Sequence, residues 1–344
     1  SYSFPPELIA QTPASPRDAA RLLVYRKRDK KVSYDTFKNL SAYLPPRAVL
    51  VFNETKVIPA RLFVRKETGG PRKRGSPGGG WVEVLYVATK DGLLQVLSDR
   101  KLALRSKVRR TESISFTVTK SDGRFYYLKP SFPVSRLQTV LEKYGAAPVP
   151  PYIKHSRKAS RRLREQYQTI FAKKIGSIAA PTASFHFTKR LMADLKKGGV
   201  GLAFVTLHVG LGTFAPVTDM QLKQGKLHSE RYAIDAATAR RLRAAKRAGM
   251  PIIAVGTTVV RALETAAARH PLRASSGETD LFIRPGYRFK FVDGMITNFH
   301  VPQSSLTMLV AAFISRKELL SLYRKAIKKK FRFFSFGDGM LLYE

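Results

Sequence analysis

Between residues 177 and 302, apolar segments repeatedly end in short clusters of small and polar residues. A β-strand that runs into Gly, Thr and His residues is typical of open sheets that bind ligands at their carboxyl edge. We therefore expect neighbouring strands whose ends share one pocket. The four clusters are Ala180-Pro-Thr-Ala-Ser-Phe-His-Phe187, Leu207-His-Val-Gly-Leu-Gly-Thr-Phe214, Gly256-Thr-Thr-Val-Val-Arg-Ala-Leu-Glu264 and Thr297-Asn-Phe-His-Val-Pro302.

Helix signals separate these apolar segments. Thr188 and Asp235 are suitable N-caps, and Gly198 and Gly249 are suitable helix ends. Because helices that alternate with strands favour parallel pairing, the region predicts an α/β (mixed α+β) fold. In this fold a mixed sheet is flanked by helices.

Residues 65–148 have a different pattern, with short alternating runs that are typical of strands. Asp91-Gly92 and Asp122-Gly123 predict type I′ hairpin turns, because both central residues of such turns need positive φ. We expect a small, all-β, barrel-like domain at 65–148, inserted into a main catalytic α/β domain formed by 1–64 and 149–344. The Gly-, Pro- and Arg-rich segment 68–80 predicts a loop.

Composition excludes several functional classes. The chain has no cysteine, so disulfides, thiolate catalysis and cysteine zinc sites are excluded. No HExxH spacing occurs, and we expect no metal. No run approaches the ~20 apolar residues of a membrane helix, and the first residues lack a signal-peptide pattern. We expect a cytoplasmic protein with no membrane partner.

The charge is strongly positive, with 62 Lys and Arg against 24 Asp and Glu and a net charge of +38. Such an excess favours a polyanionic partner, above all a nucleic acid; the alternative is a generally basic surface without a particular ligand. Three segments concentrate the positive charge: 157–164, 240–247 and 324–332. The first contains residues that we expect to bind the nucleic acid: Arg157, Lys158, Arg161, Arg162 and Arg164.

The histidines and acids of this region are candidates for proton transfer. His228 and Glu230 are two residues apart and share one face if extended. His186 and His208 lie between apolar residues, which equally suits buried core histidines. Asp280 and Asp293 have aromatic or apolar neighbours, and burial would raise the pKa of such carboxyls. The alternative role for each aspartate is a turn or a cap.

Gly256-Thr257-Thr258 joins a strand to an amphipathic stretch. Such a junction presents free backbone N–H groups to a phosphate or carboxylate. In the alternative interpretation, Thr257 or Thr258 is simply the N-cap, and Arg261 pairs with Glu264 one turn later. Gly210 and Gly212 lack the third glycine of a dinucleotide fingerprint and could instead allow a ligand ring to approach the backbone.

These motifs together resemble the S-adenosylmethionine:tRNA ribosyltransferase-isomerases of queuosine biosynthesis. The resemblance runs nearly end to end and includes all four clusters. Further matching motifs are Pro6-Glu-Leu-Ile-Ala-Gln-Thr-Pro13, Asn53-Glu-Thr-Lys-Val-Ile-Pro-Ala-Arg-Leu62, Pro150-Pro-Tyr-Ile153, Gly277-Glu-Thr-Asp-Leu-Phe-Ile-Arg-Pro-Gly286 and Arg332-Phe-Phe-Ser-Phe-Gly-Asp338.

The resemblance implies transfer and isomerisation of the ribosyl part of S-adenosylmethionine onto 7-aminomethyl-7-deazaguanine at the tRNA wobble position. Epoxyqueuosine forms, and adenine and methionine leave. It implies a monomer without a cofactor, since S-adenosylmethionine is a co-substrate. The candidate catalytic residues are His186, His208, His228, Glu230 and Asp293. The candidate substrate-binding residues are Thr182, Gly210, Gly212, Thr213, Thr257, Thr258, Arg261, Asp280, Asn298 and His300, with Arg261 as a carboxylate clamp.

Two of the departures from the family pattern lie in motifs of the candidate site. The chain has Ser184-Phe185 where the family usually has Gly-Leu, and Gly225 stands where the family's His-x-Met-His-x-Glu has its first histidine. Two other functions therefore compete with the transferase. They are a non-catalytic, basic RNA-binding protein on the same fold and an S-adenosylmethionine-dependent RNA methyltransferase, although the glycine-rich motif of the latter is absent.

Overall fold

The structure, a computed structural model, describes residues 2–67, 80–154, 160–210, 212, 217–268 and 271–344. Contacts divide the chain into two compact units. The main unit contains Ser1–Lys56, Pro150–Lys154 and Gln166–Glu344, and the barrel unit contains Val57–Val149 and His155–Glu165. Three candidate site residues, Thr213, Arg157 and Lys158, lie outside the described residues, as does almost all of the predicted loop 68–80.

Regular elements occur in the following order. The strands are β1 (Arg21–Arg26), β2 (Lys31–Thr36), β3 (Val49–Asn53), β4 (Thr55–Val57), β5 (Arg61–Lys66), β6 (Trp81–Lys90), β7 (Leu93–Ser98), β8 (Lys107–Thr111), β9 (Ile114–Asp122), β10 (Phe125–Pro130), β11 (Lys174–Ser177), β12 (Gly201–Leu207), β13 (Lys226–Ile234), β14 (Ile252–Val255), β15 (Ser275–Leu281), β16 (Gly294–Asn298) and β17 (Gly339–Tyr343). The helices are α1 (Leu137–Tyr144), α2 (Arg161–Gln166), α3 (Lys189–Lys197), α4 (Asp219–Gln224), α5 (Ala236–Arg247), α6 (Thr257–Ala266), α7 (Ser305–Ile314) and α8 (Arg316–Lys328).

The main unit is built on a nine-stranded sheet with the order β15-β13-β12-β3-β14-β16-β17-β1-β2. Its four central strands, β12, β3, β14 and β16, pair in parallel. Every residue of β3, β14 and β16 is buried, which explains why their sequences are nearly continuous apolar runs. Antiparallel pairs flank this centre at β12/β13 and β16/β17. The prediction of a mixed sheet flanked by helices is confirmed.

Helix ends follow the predicted signals in two cases and depart from them in a third. The Thr188 hydroxyl accepts a hydrogen bond from the Leu191 N–H at 3.1 Å, and the Asp235 carboxylate accepts one from Thr238 at 2.7 Å. Both predicted N-caps are confirmed. For α6, however, the N-cap is Gly256 with φ of 98° and no side-chain cap. The interpretation of Thr257 or Thr258 as the N-cap is therefore wrong, because only glycine adopts this conformation without strain.

The barrel unit holds a closed, antiparallel barrel with the order β10-β7-β6-β5-β8-β9. Asp91 and Gly92 both have positive φ, 49° and 74°, as the hairpin prediction requires. The second hairpin differs, since Asp122 ends β9 and only Gly123 has positive φ, at 57°. No helix in the described part of the chain is long and apolar enough to cross a bilayer.

Candidate active site at the carboxyl edge of the sheet

A cavity opens beyond the carboxyl ends of the central parallel strands. Each of the four sequence clusters contributes residues to its lining, as expected for strands that end at one edge. The lining residues are Tyr152, Ala180, Pro181, Thr182, Ala183, Val209, Gly256, Thr257, Thr258, Thr297, Asn298, Phe299, His300, Val301, Ser304, Leu306, Phe334 and Ser335.

Two helix N-termini border this first cavity. Thr257 and Thr258 form the start of α6, where the first N–H groups lack intrahelical acceptors. Ser304 caps α7, and its hydroxyl accepts a hydrogen bond from the Thr307 N–H at 3.3 Å. Because helix N-termini carry partial positive charge, this side of the cavity suits a carboxylate or another anionic group.

His300 presents an unsatisfied polar atom in this region. Its Nε2 lies 3.0 Å from the Thr297 hydroxyl, whereas its Nδ1 is buried and has no hydrogen-bond partner in the described structure. The backbone of the same residue is satisfied, since its N–H donates to the Tyr323 hydroxyl at 2.9 Å. Orphaned polar atoms are rare in folded proteins and call for an explanation. His300 thus brings a nitrogen without a partner into the wall of the first cavity.

A second cavity shares Leu306 with the first. It is lined by Gly212, His228, Glu230 and Arg261, among others. His228 is exposed whereas Glu230 is buried, and both contribute to this one cavity. His228 and Glu230, which are two residues apart on β13, therefore border the same cavity.

Arg261 and Glu230 form a buried ion pair in this second cavity. The remaining Arg261 contacts are to backbone oxygens: Nε donates to Leu281 at 3.1 Å and Nη2 donates to Thr279 at 3.2 Å. Glu230 also accepts the Gly210 N–H at 2.7 Å. The guanidinium expected to clamp a substrate carboxylate is therefore already engaged within the protein.

The alternative local pairing of Arg261 with Glu264 is wrong as well. Glu264 is fully buried, and its carboxylate accepts hydrogen bonds from three successive backbone N–H groups, those of Lys290, Phe291 and Val292, at 2.8–3.0 Å. The Tyr287 hydroxyl donates a fourth at 3.0 Å. Glu264 thus holds segment 287–292, which returns the chain towards β16.

His186 and His208 are not among the residues that line either cavity. The His186 ring stacks on Phe37 with ring centroids 4.0 Å apart, so it is a core residue. The His208 Nδ1 lies 2.8 Å from the Thr55 hydroxyl. His208 follows the last residue of β12 and is absent from the lining of the first cavity, to which its neighbour Val209 contributes. The expected convergence therefore includes Thr258 and His300 but not these two histidines.

Asp293 and Asp280 do not join the site either. Asp293 lies at the amino end of the parallel strands, where it pairs with Lys246 and accepts the Ile252 N–H at 2.9 Å. Asp280 forms a half-exposed ion pair with Lys226 at 3.0 Å. Both carboxylates have structural partners, and neither lines a cavity with His228 or His300.

Four residues in or beside the site had no role predicted from the sequence: Asn53, Tyr152, Ser304 and Ser335. The buried Asn53 carboxamide donates to Leu207 O at 2.9 Å and to the Thr258 hydroxyl at 3.2 Å. Its oxygen accepts the N–H groups of Leu207 and Thr55, each at 3.1 Å. It thereby joins the ends of β3 and β12 to α6. In the sequence, the only feature that indicated a role for Asn53 was its position directly after the apolar residues 48–52.

Burial changes the protonation of two histidines. It lowers the pKa of His300 to about 3, and burial together with the charges of Arg332 and Arg17 lowers the pKa of His186 to about 3. Burial and the charge of Arg231 also lower the pKa of His208. His186 and His300 are therefore neutral at pH 7, where neither can donate a proton as an imidazolium.

These shifts predict a pH-dependent stability. The unfolded chain takes up protons on His186 and His300 below pH ~6.5, whereas the folded chain does so only near pH 3. The contribution of these two histidines to the free energy of unfolding is therefore fully present above pH ~6.5. Below that pH the free energy of unfolding falls by about 1.4 kcal/mol per pH unit for each histidine. Urea unfolding between pH 7 and 5.5 measures this slope. The double variant His186→Phe/His300→Leu should lose most of it, and an unchanged slope would contradict the assignment.

Known proteins resemble this chain over its full length. A family described as "Queuosine biosynthesis protein" matches residues 1–342. The chain belongs to this family. The S-adenosylmethionine:tRNA ribosyltransferase-isomerase of Carboxydothermus hydrogenoformans is 43% identical over 99% of this chain and 98% of its own length. The protein of the same name from Heliobacterium modesticaldum is 44% identical with the same coverage.

A solved structure supports the same conclusion. The crystal structure of S-adenosylmethionine tRNA ribosyltransferase from Thermotoga maritima aligns with a TM-score of 0.56 and 33% identity, covering 99% of this chain and 98% of that chain. The resemblance inferred from the motifs is confirmed, and the chain is an enzyme of the queuosine biosynthesis family.

The two departures from the family pattern have structural explanations. Ser184 is buried in the short helical turn Thr182–His186 and does not line the first cavity. Gly225 ends α4 with φ of 66°, a left-handed conformation that favours glycine. In this chain, position 225 therefore serves as a helix cap and is absent from the lining of the second cavity. No group of three or more potential metal ligands occurs among the described residues.

Proposed function

We propose that this enzyme transfers the ribosyl group of S-adenosylmethionine to 7-aminomethyl-7-deazaguanine at the wobble position of tRNA. The ribosyl group isomerises to give epoxyqueuosine, and adenine and methionine are released. The observation that carries this proposal is the first cavity, which combines apolar and aromatic walls with helix N-termini in a chain that matches the family over its full length.

The first cavity suits the nucleoside and amino-acid parts of S-adenosylmethionine. Tyr152 and Phe334 offer ring surfaces to an adenine or a sulfonium. The N–H groups of Thr257 and Thr258 suit the methionine carboxylate. We assign carboxylate binding to this helix start rather than to Arg261, because Glu230 already neutralises that guanidinium.

The reaction requires groups that move protons. A base removes a proton from the carbon beside the sulfonium, and adenine needs a proton as its bond to the ribosyl carbon breaks. The C–S bond to methionine also breaks, and the aminomethyl nitrogen forms the new C–N bond. We propose His228 as the proton carrier and Glu230 as its partner, because both line the second cavity, which adjoins the first at Leu306.

Product analysis with a pair of histidine variants tests this proposal. The wild-type enzyme should release equal amounts of adenine and methionine from S-adenosylmethionine, and only with tRNA that carries the deazaguanine. His300→Leu should raise the KM for S-adenosylmethionine about tenfold or more, because the substitution removes a hydrogen-bonding side chain from the lining of the first cavity. His186→Leu is the matched control because His186 is also buried but lines neither cavity and stacks on Phe37.

The outcomes separate the competing functions. S-adenosylhomocysteine as the product would indicate a methyltransferase, and tight tRNA binding without turnover would indicate a non-catalytic protein. An unchanged KM in His300→Leu with an increased KM in His186→Leu would contradict the assignment of the first cavity.

A further inference from the structure

The barrel unit carries a row of alternating cations and aromatic rings on its surface. The Arg65 guanidinium lies 4.7 Å from the ring centre of Trp81, and the Arg110 guanidinium lies 5.9 Å from Trp81 and 5.6 Å from Tyr144. The Lys143 ammonium lies 5.2 Å from Tyr144. We call these five residues the basic-aromatic row. All of its members belong to the barrel unit.

Strand pairing explains why Arg65 and Trp81 face outwards. Val64 and Val82 belong to the barrel core, so Arg65 and Trp81, their neighbours along β5 and β6, point away from it. Arg65 pairs directly with Trp81 across these two strands. Arg110 lies at the register irregularity between β8 and β9, and it is partly exposed. The position of Arg65 and Trp81 is thus set by the barrel backbone rather than by flexible side chains alone.

The cations of the row lack carboxylate partners. Among the described residues, no ion pair involves Arg65, Arg110 or Lys143. The Arg110 Nε is buried and has no hydrogen-bond partner within the same part of the chain. Nearby basic residues do have partners: Arg109 pairs with Glu67 at 2.6 Å, and Arg164 lies 3.5 Å from Glu142.

We infer that the basic-aromatic row binds the RNA phosphate backbone. Three adjacent cations without counter-charges repel one another, and phosphates would relieve this repulsion. Guanidinium groups match phosphate oxygens through paired N–H donors, and the rings hold them in place before binding. Interleaved basic and aromatic side chains are typical of nucleic-acid surfaces. The inference rests on the proposed function for the identity of the RNA, which is a tRNA.

The chain supplies its own reporter for this surface. Trp81 is its single tryptophan, so intrinsic tryptophan fluorescence of the full-length protein originates from the row. Titration with a tRNA transcript should change this emission saturably, and added KCl should reverse the change. The variant Arg65→Gln/Arg110→Gln should weaken tRNA binding about tenfold, and its log–log salt slope should fall by about one for each phosphate that is no longer bound.

A matched variant on the same barrel controls for net charge. Lys120 and Arg124 also lie over rings, 5.4 Å from Tyr127 and 5.4 Å from Phe125. Lys120→Gln/Arg124→Gln removes the same charge from another hairpin and should leave tRNA affinity within about twofold of the wild type, because diffuse charge contributes little at one site. Equal losses in both variants, or none in the first, would overturn the inference.

Two further comparisons identify the class of ligand and distinguish a failure of this inference from a failure of the proposed function. Polyglutamate that changes the emission with the same affinity as tRNA would contradict an RNA site. If adenine release proceeds in the wild type and Arg65→Gln/Arg110→Gln has an unchanged KM for tRNA, the row is not the site although the function stands. If tRNA binds at the row but no adenine is released, the proposed function fails and the row remains an RNA site.

Discussion

Replacement of Arg261 with methionine is expected to lower the free energy of unfolding of the main unit by about 3–5 kcal/mol. The change removes the partner of Glu230, a carboxylate of which only 4% of the side chain is exposed. A buried charge without its counter-charge keeps its full desolvation cost. Urea unfolding followed by far-UV circular dichroism measures the effect, whereas tryptophan emission reports on the barrel unit, which holds the single tryptophan.

A double-mutant cycle distinguishes the ion pair from general disruption. Arg261→Met/Glu230→Leu should be more stable than Arg261→Met alone, since removal of both charges leaves none unpaired. Arg26→Met is the control in the same unit. It breaks a pair with Asp29 in which 42% of each side chain is accessible, and its cost should be a small fraction of that of Arg261→Met, because exposed ion pairs contribute little to stability. A similar cost for both single variants would contradict the prediction.

The same ion pair changes how activity data on Arg261 are interpreted. Glu230 holds the Gly210 N–H as well as Arg261. A weaker affinity for S-adenosylmethionine in Arg261→Ala would therefore report a displaced Glu230 and Gly210 in addition to any direct contact. The Thr257 and Thr258 end of α6 is the better position at which to test carboxylate binding.

Replacement of Glu264 with alanine is expected to cost about 4 kcal/mol or more in the stability of the main unit. The change leaves three neighbouring backbone N–H groups, at 290–292, without the acceptor that they share. Unsatisfied buried donors cost about 1–3 kcal/mol each. The loss should appear as a lower urea midpoint and as faster amide exchange in segment 287–292.

Two further variants test the reason for this effect. Glu264→Gln retains the shape and one acceptor oxygen, so its cost should be about half that of alanine. Glu278→Ala is the control because that carboxylate accepts a hydrogen bond from Ser229 at an exposed site, and it should change stability by about 0.5 kcal/mol or less. An alanine variant at 264 with wild-type exchange rates would contradict the role of Glu264.

Local signals predicted much of the fold. Thr188 and Asp235 were identified as caps because an N-cap depends on one side chain and an N–H three residues later. The apolar run at 57–64 has the pattern of a single strand, but the chain forms β4 and β5 on either side of Pro59, because proline removes a backbone donor. Strands β2 and β8 were missed, since exposed polar residues interrupt their alternation.

The candidate site was predicted less completely. Thr258 and His300 line the first cavity and His228 and Glu230 line the second, because each follows or occupies a strand of the sheet. His186 belongs to the same sequence cluster as Thr182, but its ring packs against Phe37. The direction of a side chain in an irregular turn depends on which residues pack against it, and those residues are distant in sequence.

The amino-acid sequence by itself determined the family, the parallel centre of the sheet and the strand ends at which a ligand site forms. These properties follow from local patterns: apolar runs, caps and glycines. Only the tertiary structure decided which charges pair. Helical spacing suggested Arg261 with Glu264, but β13 supplies Glu230 to Arg261, and segment 290–292 supplies its N–H groups to Glu264. Buried charges select the partners that satisfy them best, and those partners come from elements that meet only when the chain has folded.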